Sequence, residues 1–191
     1  MRITAGTLKG RAVECLADNI RPTASRARET LFNILSHADF NGFSGIEGAV
    51  VLDLCCGSGL LGFEALSRGA TKLVGMDVAS TSLSVAKKNA ANLGVEKSCL
   101  WIKGDALNPP SNNGIIVDLV LADPPYGKIS GFTAFQQLQQ GGWLKETALL
   151  VLETSSKKPE VLESLQDSLE IVKTREVGAA LFYFCSVKKS V

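Results

Sequence analysis

The stretch VVLDLCCGSGLLGFEAL, from Val50 to Leu66, decides the fold. Val50, Val51, Leu52 and Leu54 flank a single acid, Asp53. Gly57, Gly59 and Gly62 then punctuate a turn, and the apolar run from Leu60 continues at helical spacing. This pattern predicts a buried strand at 50–54 that passes directly into a helix at 60–67. Outward from it the alternation continues, with strands expected at 72–76, 99–102, 117–122, 149–152, 169–173 and 181–187. Helices are expected at 80–93, 132–140 and 159–166. Strands separated by helices imply an α/β fold: a doubly wound, mostly parallel sheet with helices on both faces. The last run follows its predecessor after a short turn containing Gly178, so the final strand is expected to be antiparallel.

Ahead of this core, residues 2–14 place two β-capable runs on either side of Gly6–Gly10, which reads as a hairpin. After Pro22, Thr23 or Ser25 can cap a helix in which Leu31, Ile34, Leu35 and Ala38 recur at helical spacing. The glycine-rich stretch 39–48 reads as a linker. The expected organisation is a hairpin-and-helix extension at 1–40 and a main domain at 41–191.

Composition narrows the function classes. With 191 residues and 46% hydrophobic content, the chain has enough apolar material for one substantial core and no room for a second full domain. No apolar run reaches the length of about 18 residues needed to span a membrane, and the first thirty residues carry arginines and acids where a signal peptide needs an apolar stretch. A cytoplasmic protein is expected. Five cysteines include no C-x-x-C pair, which argues against a disulfide framework or a zinc site; no metal is expected. The net charge of +1 hides an uneven distribution. Arg2, Lys9, Arg11, Arg21, Arg26 and Arg28 face only Glu14, Asp18 and Glu29 in the first thirty residues, so a polyanion would be drawn to that end.

Gly57-Ser58-Gly59-Leu60-Leu61-Gly62 matches G-x-G-x-x-G, and Asp77 lies twenty residues after Gly57. A dinucleotide site has this form, with the pyrophosphate at the helix start and the acid on a ribose. Asp53 argues for a different ligand, because it puts a carboxylate beside the position that a pyrophosphate would occupy. S-adenosylmethionine instead offers an ammonium and a sulfonium, which a carboxylate attracts directly or through water. Gly57 and Gly59 allow close backbone approach. Asp77 would accept from the ribose hydroxyls, and Asp105, just beyond the third strand, from the adenine amino group.

Asp123-Pro124-Pro125-Tyr126 follows the apolar strand 117–122, at the sheet edge where α/β enzymes bind ligands. An exocyclic amine of a nucleobase is a poor nucleophile, since its lone pair is delocalised into the ring. Hydrogen bonds from its N–H groups to the Asp123 carboxylate and the Pro124 carbonyl would favour a pyramidal nitrogen aimed at the methyl donor. Two prolines stiffen the turn, and Tyr126 offers a face for the base to stack on. Alignment of the two reactants then contributes about 7–11 kcal/mol. His37, on the early helix, is read as structural, and Trp101 and Trp143 as core or rim.

With these motifs placed, the chain resembles the bacterial 16S rRNA guanine-N2 methyltransferase family, often called RsmD-like. The resemblance runs through RITAGTLKGR, IRPTASRARETLFNIL, LDLCCGSGLLGFEALSRGA, LADPPY and GGWLKETALLVLE. The second stretch is the most specific. The resemblance implies a seven-stranded Rossmann-like methyltransferase fold, S-adenosylmethionine as donor with S-adenosylhomocysteine as product, and a guanine of 16S rRNA or of the assembled small ribosomal subunit as acceptor. It also implies that the hairpin and the Arg21–Arg28 region sit over the cofactor cleft and meet RNA, with Arg2, Lys9, Arg11, Arg21 and Arg26 as contacts and Thr23 at the cofactor. Ala5 and the Cys55-Cys56 pair depart modestly from the family's pattern. A monomer is expected. Two other readings share parts of this evidence. A DNA adenine-N6 or cytosine-N4 methyltransferase would use the same loop but needs a target-recognition insertion for which the spacing leaves no room. A cofactor-binding RNA-binding or ribosome-assembly protein is opposed by the intact Asp123 and Tyr126.

Overall fold

A computed structural model describes residues 1–15, 22–37, 40, 42–125, 129–160 and 169–188. Helix α1 (Pro22–His37) precedes β1 (Val50–Leu54), α2 (Leu60–Ser67), β2 (Lys72–Asp77) and α3 (Ser80–Leu93). There follow β3 (Cys99–Lys103), β4 (Val117–Ala122), α4 (Gly131–Gln140), β5 (Leu144–Ser155), β6 (Leu169–Val177) and β7 (Ala180–Val187). These form one seven-stranded sheet in the order β3-β2-β1-β4-β5-β7-β6. The first five are parallel neighbours, while β7 runs antiparallel to both β5 and β6 and lies between them. The expected helix at 159–166 falls largely outside the described residues. None of the described helices is long and apolar enough to cross a membrane.

Alternation along the strands sorts side chains into two cores. Val51, Leu73, Leu119, Leu121, Leu149 and Val151 face one cluster, shared with Leu31 and Phe32 of α1, Phe63 of α2 and Leu93 of α3. Leu52, Leu54, Val74, Val120, Leu150 and Leu152 face the other, closed by Phe132, Phe135 and Leu138 of α4. Ile3 and Val13 of the N-terminal segment belong to the first cluster, so the extension shares its core with the main sheet.

Residues 1–15 form a reduced hairpin, with one bridge between Arg2 and Ala12 and cross-bonds joining Met1 to Val13 and Ile3 to Gly10 and Arg11. Gly6, at φ +80°, passes so close to α2 that a Cβ there would stand 1.7 Å from the Ser67 carbonyl oxygen. Only glycine fits that approach.

The stretch 39–48, read as a linker, is more than a tether. Phe40, Phe43 and Ile46 are buried, and Phe40 stacks on Phe184 of β7 at 5.2 Å. Its glycines provide the turns, while three apolar side chains between them pin it to the sheet. Strand β5 begins five residues before the expected 149. Its first half, with Lys145 and Glu146 exposed, lies beyond a register shift and lacks the apolar signal. Trp143 is fully buried with its indole N–H donating to the Pro110 carbonyl, and Trp101 packs against Phe63, as expected for core and rim.

Candidate active site

The chain order reverses between β1 and β4, and ligands in open α/β sheets bind beyond the strand ends at such a point. There a cleft of about 280 Å³ opens, lined by Cys55, Asp77, Val78, Asp105, Pro125 and Ile129 among others. Two of the predicted acids therefore share one wall with the proline loop. Asp77 accepts from the Gly57 N–H through Oδ2 (2.9 Å) and from the Ala79 N–H through Oδ1 (2.8 Å). Each oxygen keeps a second lone pair for a ligand hydroxyl. Asp105 is exposed and accepts from the Leu107 N–H through Oδ1 at 2.9 Å, closing its own turn. Val78 is missed by pattern reading: it is 64% exposed although apolar, and it supplies a hydrophobic wall between the two acids.

Gly57 (φ +53°) and Gly59 (φ +81°) hold the turn in the left-handed region, and Cys55 at φ +60° adopts it without being glycine. A Cβ on Gly57 would meet nothing within 4 Å, which leaves its face of the loop open, whereas one on Gly59 would strike the Phe63 ring at 2.8 Å. Gly59 thus serves helix–sheet packing, and Gly57 is the glycine whose face of the turn stays open. Asp53 is only 2% exposed and lies beneath the loop, its Oδ2 accepting from the Gly62 N–H at 2.9 Å. Burial pushes its carboxyl up to about 8, against the Gly62 hydrogen bond, with Asp123 and Asp77 adding repulsion. The described geometry gives it the role of fastening the start of α2. The Cys55 thiol is pushed up to about 12, chiefly by burial, and is no nucleophile near neutrality.

Asp123 stands at the end of β4, followed by buried Pro124 and exposed Pro125. The residue is exposed, yet the protein around its carboxyl desolvates it and pushes it up to about 6. Tyr126 and Arg21 lie outside the described residues, as does the side chain of Thr23.

Sequence reasoning also missed the ties that bring the N-terminal segment to this site. Asn89 of α3, 1% exposed, donates to the carbonyls of both Glu14 and Ser58 and accepts from the Glu14 N–H. Residue 14 is thereby tied to the glycine loop. Lower down, fully buried Glu64 accepts from Thr4 N–H, Thr4 hydroxyl, Ala5 N–H and the Arg68 guanidinium, with Arg28 Nε at 3.5 Å.

The basic residues separate into two places. Arg2, Lys9 and Arg11 are exposed, but the hairpin turn packs against the C-terminal ends of α2 and α3, where Thr7 N–H meets the Ser67 carbonyl and Arg11 donates to the Asn92 carbonyl. Those ends lie at the edge of the sheet opposite the cleft. Arg26 instead lines an open groove between α1 and β6 with Thr30 and Arg175, continued by Asn33, His37 and Lys173. One end of this groove, at Val177 and Gly178, reaches the same edge of the sheet as the cleft. His37, expected in a structural role, is exposed in that groove.

The family described as Conserved hypothetical protein 95 matches residues 1–186. Ribosomal RNA small subunit methyltransferase D of Haemophilus influenzae is 36% identical over 167 residues, which span 83% of this chain and 81% of the relative. The Escherichia coli K12 protein of the same name is 34% identical over 158 residues, 81% of this chain and 74% of that protein. Among solved structures, "Putative methyltransferase yhhF from Escherichia coli" superposes with a TM-score of 0.79 at 26% identity and covers 98% of both chains. The chain belongs to the Conserved hypothetical protein 95 family, in which the small-subunit rRNA methyltransferases D fall.

Proposed function

We propose that the protein transfers a methyl group from S-adenosylmethionine to the exocyclic N2 amino group of a guanine in 16S rRNA, within the small ribosomal subunit, acting as a cytoplasmic monomer without a metal. The observation that carries this reading is the placement of Asp123 and Pro124 at the head of β4, beside the cleft that holds Asp77, Val78 and Asp105. The residues fit the donor. Asp77 would take the ribose, Val78 the face of the adenine ring and Asp105 its amino group, while the open face at Gly57 admits the rest. When bound, the donor supplies an electrophilic methyl on a sulfonium leaving group.

The chain's own part is orientation. Asp123 and the Pro124 carbonyl accept the two N–H groups of the amine, which turns its lone pair toward the methyl, and Tyr126 supports the base. The N2–H proton displaced as the N–C bond forms passes to Asp123 and then to solvent. Because N2 lies on the Watson–Crick edge, the guanine must be unpaired or flipped.

Tritiated-methyl transfer to unmethylated small-subunit particles, naked rRNA and DNA, with the product nucleoside identified, tests the proposal. N2-methylguanosine from rRNA is expected; N6-methyladenine or N4-methylcytosine in DNA would overturn it.

Two further outcomes follow from the geometry. Asp123 must be ionised to accept from the amine, and its carboxyl is raised to about 6, so single-turnover rates should climb as pH rises through that value. A flat profile between roughly pH 5 and 8 would remove Asp123 as the acceptor. Arg26 and Arg175 flank the groove that opens at the catalytic edge. Changing both to Gln should weaken RNA binding and lower the salt-dependence slope by about 1.4, for two contacts to single-stranded phosphates. Arg2 and Lys9, lower on the molecule, should contribute less to that slope.

A further inference from the structure

Beyond the loop, the sheet sets a second carboxylate at the catalytic edge. Strands β4 and β5 are parallel neighbours with Ala122 paired to Leu152, so Glu153 on β5 comes level with Asp123, the residue directly after β4. Alternation puts them on the same face: Leu121 and Val151, two residues back, both belong to the cluster under α1 and α2. Adjacent strands lie about 4.8 Å apart, so the two side chains leave the sheet edge as neighbours. Glu153 is half-buried and feels the charge of Asp123; burial raises its carboxyl, Asp123 raises it further and Arg28 opposes. Among the described residues no hydrogen bond reaches either carboxylate. Two neighbouring carboxylates repel each other, and a ligand that presents a donor to each relieves part of that repulsion.

Resting on the guanine-N2 reading above, we infer that Glu153 is a specificity-determining residue that accepts the N1–H of the target guanine beside the N2 amine held by Asp123. The chemistry of the base edges makes the choice. Guanine presents N1–H next to its amino group, so both carboxylates receive donors, and those hydrogen bonds favour their ionised forms. Adenine beside N6, and cytosine beside N4, present instead a ring nitrogen with a lone pair. That lone pair would face the Glu153 oxygen, and leaving both unpaired disfavours the complex. The two strand ends thus distinguish bases that the proline loop alone treats alike.

The test uses 2-aminopurine, which keeps the N2 amine but lacks the N1 hydrogen. Small-subunit particles reconstituted with guanine or 2-aminopurine at the modified position are compared by kcat/KM for the full-length protein and for Glu153→Gln. The wild-type protein should prefer guanine on the order of 10³-fold. Glu153→Gln, whose amide can accept from guanine N1–H or donate to the bare N1 of 2-aminopurine, should shrink that preference to about tenfold or less while retaining the thermal midpoint and donor binding. Equal loss on both bases, or an unchanged preference, would overturn the inference. A wild-type protein that methylates no guanine would sink the functional reading itself, a separate outcome.

Discussion

Asp123→Ala should lower the methyl-transfer rate on the order of 10³-fold or more while donor binding stays near that of the wild type. The expectation follows from where the side chain stands. Asp123 directly follows β4 beside the proline loop, and the groups proposed to hold the donor, Asp77, Val78 and Asp105, stand at or just beyond the ends of β2 and β3. On the proposed mechanism, truncation removes the acceptor that orients the amine and leaves the opposite wall intact. Stability gives a second, independent reading. Because burial holds this carboxyl above its usual range, its ionised form costs folding energy above pH 6, a cost that fades as pH falls and the group is protonated in both states. Near neutral pH the alanine variant should therefore melt at the same temperature as the wild type or higher. Inactivity with unchanged or raised thermal stability is the signature of a residue kept for chemistry. Turnover close to wild type would remove Asp123 from the mechanism; weakened donor binding would relocate it to the other substrate.

The largest expected effect on stability lies at Glu64, far from the reacting atoms. This carboxylate has no exposure, binds the Arg68 guanidinium through Nε and Nη2 at 3.1 Å each, faces Arg28, and accepts from the backbone of Thr4 and Ala5. Glu64→Gln keeps the shape but removes the charge that balances two arginines of which Arg28 is 4% exposed. Breaking a buried ionic network in this way costs about 3–5 kcal/mol, measurable as a lower urea midpoint at unchanged slope. Limited proteolysis should cut the first fifteen residues preferentially, since these lose their anchor on α2. A loss below about 1 kcal/mol would mean that the arginines find their balance elsewhere.

The frame of the molecule was legible in local pattern. Strands β1 and β4 and helices α2 and α3 have the bounds expected from apolar periodicity, and the reversal of the last strand follows from the short connection at Gly178. The edges were less legible, because an exposed strand end such as Lys145–Glu146 looks polar and irregular until its partner is known. In the site, Asp77 and Asp105 stand together on the cleft wall, whereas Asp53, read as facing a cation, is turned under the loop to the Gly62 N–H. Glu64, Asn89 and Glu153 left no local signal. Glu64 and Glu153 lie in or at the end of apolar runs and Asn89 follows two lysines; what gives each its meaning is a partner about 60, 75 or 30 positions away, brought near only by the fold.

The position of β7 also bears on how the chain is made. The last strand inserts between β5 and β6, so β6 has no neighbour in the sheet until β7 has emerged. During synthesis at roughly 5–20 residues per second, the growing chain therefore holds β5 as an open edge through the making of β6 and the turn after it. Over that interval of a second or more, the nascent protein is at its most vulnerable to pairing with another strand, and early termination within the final strand would leave that edge permanently uncovered.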